Sequence, residues 1–372
     1  MKESGRVTVF IDLTTIEDNF RKIRSMVPGH VKILCVVKAD AYGHGAIQVA
    51  QRLERLDVDY LGVATIDEGV HLRKAGIQSP VLIMSGIFPW DNSAQLQEFS
   101  LTPVLHTFRE LEEAVKLVSH GRDSLKVHIK VDTGMGRLGF SPDMVDSVID
   151  QLKHMPLIKV EGLMSHFSSS EKRDEQGMKQ YTLFKTIIEK FHASGINPEI
   201  MHMANSGALL NYTEAFFSMV RVGISLYGSY PDRALRGRLG VQQAMKFVSK
   251  IALIKEFPLG YPLSYGGTFV TKHHTRVAYI PVGYADGYPR ALSNKGSVLI
   301  KDRRCSIIGR ICMDWFLVDV TGYEDIHENE DVILLGHGTT DSITADEIAD
   351  ASGTIPYEIL CTIGKRAQKI YV

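Results

Sequence analysis

The stretch Val31-Lys32-Ile33-Leu34-Cys35-Val36-Val37-Lys38-Ala39-Asp40-Ala41-Tyr42-Gly43-His44-Gly45 holds a short apolar run, a lysine at its end, and a loop with a tyrosine, two glycines and a histidine. A run of this length, rich in valine and isoleucine and stopped by glycine, reads as a buried strand. Seven runs of the same kind follow at 60–64, 81–85, 102–106, 126–131, 160–166, 199–204 and 219–226. Helical periodicity separates them, as at 111–119, 142–155 and 176–194. Eight strands alternating with helices predict a closed (β/α)8 TIM barrel. A doubly wound open sheet is the weaker alternative, because no strand runs into a dinucleotide glycine fingerprint.

The texture changes near Arg238. Strand-like runs then crowd together at 246–256, 276–282, 297–300, 306–308, 316–320, 331–335 and 369–372, with one clear helix pattern at 345–351. The expectation is an α/β chain: a barrel over 12–238 and a mostly β C-terminal domain over 239–372, joined by the opening segment 1–11.

Composition sets the class. The 372 residues are 44% hydrophobic and 23% charged, with a formal net charge of -1. Without a basic run, neither nucleic acid nor an anionic membrane is an expected partner. No apolar stretch is long enough to span a membrane, and residues 1–12 hold no signal-like apolar core. Cys35, Cys305, Cys312 and Cys361 lack paired spacing, so they read as free thiols in a reducing compartment, with no metal site. The expected location is the cytoplasm.

In a barrel of this kind, chemistry sits at the C-terminal ends of the strands. Lys38 lies there. A lysine at a buried strand end loses solvation, which suits it to form a Schiff base, as with pyridoxal phosphate. The competing reading is a lysine that merely extends its head to water. Other unusual residues fall at the same face: Arg137 after the fifth strand, His166 at the end of the sixth, His202, Asn205 and Ser206 at the end of the seventh, and Arg221 and Gly223 on the eighth. Asn205-Ser206-Gly207, Gly223-Ile224 and the Tyr42 hydroxyl supply phosphate-holding chemistry, though serine and glycine are also ordinary turn residues. Arg221 interrupts an apolar run and needs a partner. At a pyridine nitrogen an arginine donates a hydrogen bond without giving up a proton, which makes the ring a weaker electron sink than an acid would. The second domain adds Leu263-Ser264-Tyr265-Gly266-Gly267-Thr268-Phe269, Val282-Gly283-Tyr284-Ala285-Asp286-Gly287-Tyr288-Pro289-Arg290 and Gly309-Arg310-Ile311-Cys312-Met313-Asp314-Trp315.

Taken in order along the whole chain, these motifs resemble the alanine racemases, barrel-type enzymes that use pyridoxal phosphate. The resemblance implies that Lys38 holds the cofactor and acts as one acid/base, and that Tyr265 of a partner subunit acts as the other. It implies that Tyr42, Asn205, Ser206, Gly223, Ile224 and Tyr357 contact the cofactor, mostly at its phosphate, and that Arg221 meets the pyridine nitrogen. His166 would bridge Arg221 and Tyr265. Arg137 and the Met313 backbone would bind the substrate carboxylate. Supporting roles fall to His202, Tyr284, Asp314, Arg290 and Lys130, a position carbamylated in some members. The implied protein is a homodimer with shared sites, interconverting L- and D-alanine and supplying D-alanine for peptidoglycan. Gly260-Tyr261-Pro262-Leu263 and Trp315 are bulkier than the family pattern, which leaves a serine or broad-specificity racemase as the alternative. A barrel-type decarboxylase would want an acid where Arg221 stands. A small cofactor carrier would lack everything after Arg238.

Overall fold

The computed structural model describes residues 5–120 and 124–372. Strand β1 (Val7–Ile11) opens the chain. Then come β2 (Lys32–Val36), β3 (Tyr60–Val63), β4 (Val81–Ile83), β5 (Thr102–Leu105), β6 (Leu125–Lys130), β7 (Ile158–Met164), β8 (Ile200–His202) and β9 (Met219–Val222). These eight pair in parallel in the order β8-β7-β6-β5-β4-β3-β2-β9. The seam between β8 and β9 is held by Ser218 N–H to Met201 O at 3.2 Å and Arg221 N–H to Ala204 O at 3.0 Å. The ring is thus nearly closed, as the eight buried runs predict.

The second sheet holds β10 (Met245–Lys250), β11 (Leu253–Phe257), β14 (Thr275–Ile280), β15 (Ser297–Ile300), β16 (Arg303–Ile308), β17 (Phe316–Asp319), β18 (Asp331–His337) and β20 (Gln368–Tyr371), with β1 between β10 and β20. A two-strand ribbon, β12 (Pro262–Leu263) and β13 (Phe269–Val270), projects from it, and β19 (Ser342–Ile343) pairs with β18. Strand 7–11 therefore joins the β-rich sheet. The part of that expectation covering residues 1–4 lies outside the described residues.

Three expectations need correction. The run 219–226 is not one strand. It stops at Val222, and Ile224–Tyr227 form a 3-10 turn closed by Leu226 N–H to Gly223 O. Apolar residues in a turn buried on every side look like strand. The run 246–256 is two strands, because the chain leaves β18 at Ile251 and takes up β14 from Ala252 onward. Finally, the β-rich domain has two helices, Ala345–Ser352 and Pro356–Thr362. The second begins with proline at its first turn but has Ile355 in place of a polar cap, so it carried half the usual start signal.

That second helix reaches the barrel mouth. Gly43 has φ +81°, and a Cβ there would lie 2.4 Å from Leu360 O. Only glycine lets the two backbones approach this closely. The contact carries Tyr357 to the end of β2.

Candidate functional site

The site begins where β2 ends. After Lys38, the residues Ala39, Asp40, Ala41 and Tyr42 all have φ between +52° and +55°. Such a conformation costs roughly 1–2 kcal/mol for each non-glycine residue. It is sustained by hydrogen bonds: Ala39 N–H to Glu68 Oε1 at 2.7 Å, Ala41 N–H to Val37 O at 2.9 Å, Gly43 N–H to Ala39 O at 3.1 Å, and Ala46 N–H to Asp40 Oδ1 at 2.8 Å. Lys369 adds an ion pair to Asp40. The turn swings the Tyr42 ring inward, 5.0 Å from Tyr227 and 5.9 Å from Tyr357. Its hydroxyl stands against Gly223, where a Cβ would sit 2.7 Å from it. Burial, and then Tyr357, push the Tyr42 phenol well above its ordinary range, so it is a neutral donor. Burial and then Arg137 push the Lys38 amine down, toward the uncharged form a nucleophilic amine needs.

Across the mouth, Gly223 N–H donates to Ser206 Oγ at 3.0 Å. Asn205 spends its amide oxygen on Gly207 and Ala208 N–H, both at 3.1 Å, so it shapes the same loop. Ile224 opens the buried turn behind them. These groups form a cradle of hydroxyls and backbone N–H groups beside Lys38.

Arg221 lies on β9 and is 3% exposed. Burial and then Arg137 push it down to about 9, still charged at neutral pH. Its NH1 faces His202 Nδ1 and His202 O, both at 3.0 Å. Its NH2 faces Ser165 O and His166 Nδ1 at 2.9 Å and Met203 O at 3.0 Å. Five acceptors thus surround the two terminal nitrogens, and Nε alone has no acceptor among the described residues. A guanidinium can only donate, so Nδ1 of each histidine must be the lone-pair nitrogen. Burial, and then Arg221, hold His166 and His202 far below 6.5, so both rings are neutral.

Lys130 ends β6, 4% exposed, and its amine is lowered to about 8 by burial, then Arg221 and Arg137. Arg137 is placed by Asp132, whose carboxylate takes N–H bonds from Gly134, Met135 and Arg137 at 2.9, 2.7 and 2.9 Å. Lys38, Lys130, Arg137 and Arg221 make a cationic mouth fit for a carboxylate and a phosphate.

The remaining expected residues lie elsewhere. Tyr265 sits in the β12–β13 ribbon, 72% exposed. Met313 is 53% exposed, and Tyr284, Tyr261 and Trp315 are about half exposed on the same domain. Asp314 bonds Arg366, which also reaches buried Asp286. Arg290 opens a short 3-10 turn nearby. Within one chain no hydrogen bond or ring contact among the described residues ties Tyr265 to Lys38, His166 or Arg221.

Sequence reasoning missed Glu68, Asp132, His128 and Glu161. Thr65-Ile66-Asp67-Glu68 is a capping box, and that signature was available for Glu68.

The neutral histidines set a pH response. Unfolded rings take a proton near 6.5, whereas buried His166, His202 and His128 do not. Below about 6.5 the unfolded state therefore binds more protons, and stability falls as pH drops, by up to about 1.4 kcal/mol per unit for each such ring. Thermal unfolding at pH 7, 6 and 5 reads this; a constant Tm would contradict it. Glu161 works in a separate window, because its stabilisation is lost only below about 4.5.

The cradle fits pyridoxal phosphate on this chain's own features: an amine lowered by burial, the Tyr42 and Ser206 hydroxyls gathered at Gly223, and an uncommitted Nε–H on buried Arg221 for a ring nitrogen. The comparisons agree. Residues 11–231 match the N-terminal domain of alanine racemase, and residues 244–371 its C-terminal domain. The chain is 39% identical to alanine racemase 2 of Caldanaerobacter subterraneus subsp. tengcongensis over 366 residues, covering 98% of this chain and 94% of that protein. It resembles the crystal structure of alanine racemase from D-cycloserine-producing Streptomyces lavendulae, with TM-score 0.95 and 32% identity over 100% and 98% of the two chains. It also resembles the Bartonella henselae alanine racemase with covalently bound pyridoxal phosphate, with TM-score 0.89 and 28% identity over 99% and 100%.

Proposed function

This chain belongs to the alanine racemase family and is a pyridoxal-phosphate-dependent racemase of alanine, and from that premise we propose how its residues divide the work. Bound pyridoxal phosphate acidifies the substrate Cα–H by drawing electrons into its ring. Lys38 holds the cofactor and moves a proton at Cα on one face. Tyr265 of the partner subunit moves it on the other, which its exposure in a single chain supports. Tyr42, Ser206, Gly223, Ile224 and Tyr357 hold the phosphate. Arg221 would offer its Nε–H to the ring nitrogen and, unable to surrender a proton, would leave the ring a weaker electron sink than an acid would make it. His166 keeps Arg221 placed and faces the partner's Tyr265. Arg137 and the Met313 backbone take the substrate carboxylate. Lys130, with roughly a tenth of its amine unprotonated at pH 7 for a value of about 8, can add carbon dioxide as a carbamate beside Arg137, a signal that labelled bicarbonate gives in carbon NMR.

The observation that carries this reading is Arg221, fully engaged at NH1 and NH2 and free at Nε, where a decarboxylase would want an acid. The protein works as a cytoplasmic homodimer making D-alanine for peptidoglycan. No helix among the described residues is long and apolar enough to cross a membrane, which is compatible with that place. The barrel domain runs over 12–238 and the β-rich domain over 239–372 with 1–11, a division supported by the pairing of β1 with β10 and β20. Chiral analysis of L-alanine, L-serine and L-lysine incubated with the loaded protein tests the reading. Alanine reaches an equal D/L mixture fastest, by roughly tenfold or more over serine. Faster serine turnover would make this a broader racemase, shaped by Tyr261 and Trp315. No racemisation would remove the two-base assignment.

A further inference from the structure

Behind Arg221, away from the cofactor cradle, a second line of polar groups crosses the inside of the barrel. His202 Nε2 lies 2.8 Å from His128 Nδ1, and His128 Nε2 lies 3.4 Å from Glu161 Oε2. Glu161 in turn takes a bond from Lys126 Nζ at 2.7 Å. Both histidines are 0% exposed. None of the roles assigned above uses His128 or Glu161.

We propose that His128 and Glu161 are positioning residues that fix the tautomer of His202 and so aim the Arg221 guanidinium; this rests on the cofactor reading of Arg221. The proton directions follow without choice. Arg221 can only donate, so His202 Nδ1 accepts and His202 Nε2 carries hydrogen. His128 Nδ1 must then accept, which leaves hydrogen on His128 Nε2. A carboxylate can only accept, and Glu161 stands where that hydrogen points. Every link has one allowed sense, and the two ends, a guanidinium and a carboxylate, enforce it together. Burial alone would raise the Glu161 carboxyl, but its bonds from His128 and Lys126 hold it down at about 2, so the acceptor is ionised throughout the working range.

The backbone is built for this line. The β6–β7 register jumps from Val127↔Val160 to His128↔Gly162, which makes Glu161 the extra residue of a β-bulge. Bulges re-aim side chains and cluster near active sites. Next to it, a Cβ on Gly162 would lie 2.5 Å from the His128 ring. The bulge thus delivers the carboxylate, and the missing side chain makes room for the imidazole.

The test uses the loaded holoenzyme labelled with ¹⁵N-histidine. In the wild type, NMR should show both His202 and His128 protonated at Nε2 and bare at Nδ1; a proton on either Nδ1 overturns the proposal, whatever the variants do. Glu161→Met should lower kcat about 10-fold to 100-fold with KM for alanine little changed, a range typical of outer residues that orient a functional histidine. It should also shift the His202 nitrogen signals. Glu161→Gln, whose amide oxygen still accepts, should recover most of both. A folded, cofactor-loaded Glu161→Met protein with wild-type kcat and unmoved His202 signals overturns the proposal. Failure of the wild type itself to bind cofactor or racemise alanine would instead overturn the reading on which it rests.

Discussion

Lys38→Ala should lower kcat for alanine racemisation by about 10⁴-fold or more, and should abolish the cofactor attachment that borohydride reduction makes permanent in the wild type. The size follows from two losses at one atom: the covalent anchor, and an acid/base worth about 10²–10⁴ in rate by itself. The cationic mouth of Arg137, Lys130 and Arg221 remains, together with the cradle at Gly223, so the variant should still bind pyridoxal phosphate reversibly. Stability should not fall. The Lys38 amine is lowered chiefly by burial, which means the folded state disfavours its charge, and removing the amine removes that cost. The strained turn that follows is held by Glu68 and Asp40 and does not need the lysine side chain. Chiral chromatography, absorbance of the borohydride-reduced, denatured protein and thermal unfolding together decide it. Retention of more than about a hundredth of wild-type kcat would remove Lys38 from the chemistry.

How far the sequence alone could see depended on whether a residue's neighbours were close in the chain. Lys38 and Arg221 were legible because each breaks an apolar run, a local signal. The barrel was legible because eight runs repeat with helical spacing between them. Gly223 and Ile224 were legible as chemistry but not as geometry: the strand end at Val222 is set by Ser206 Oγ, which receives the Gly223 N–H from seventeen residues away in sequence. The helix carrying Tyr357 escaped notice because its start has proline without a polar cap. Glu161 and His128 were invisible for a stronger reason. In a regular register the side chains of a strand alternate, and only the bulge between β6 and β7 brings this pair into one line. No periodicity announces a bulge. Glu68 is the opposite case, since its capping box was written in four consecutive residues.

Tyr265→Phe should reduce kcat by about 10³-fold, because it deletes one of two acid/base groups and leaves the other. Only a hydroxyl is lost from a side chain 72% exposed in the single chain, so folding and cofactor loading should be unaffected. The telling experiment mixes this variant with Lys38→Ala. If each site joins Lys38 of one chain to Tyr265 of the other, a mixed dimer has one site with both substitutions and one with neither. Random exchange makes half the dimers mixed, and half of their sites intact, so about a quarter of wild-type activity should return. If each chain instead carried its own pair, every site would keep one substitution and nothing would return. The geometry favours the first outcome. The β12–β13 ribbon holds Tyr265 on the β-rich domain, where Ser264 Oγ donates to Arg310 O at 2.7 Å, and no contact carries the ring toward His166. His166 meanwhile spends Nδ1 on Arg221 and keeps Nε2–H for a partner its own chain does not supply among the described residues. An activity no higher than either parent after subunit exchange would require the ribbon to fold back over its own barrel mouth, and would end the shared-site reading while leaving the roles of Lys38 and Arg221 intact.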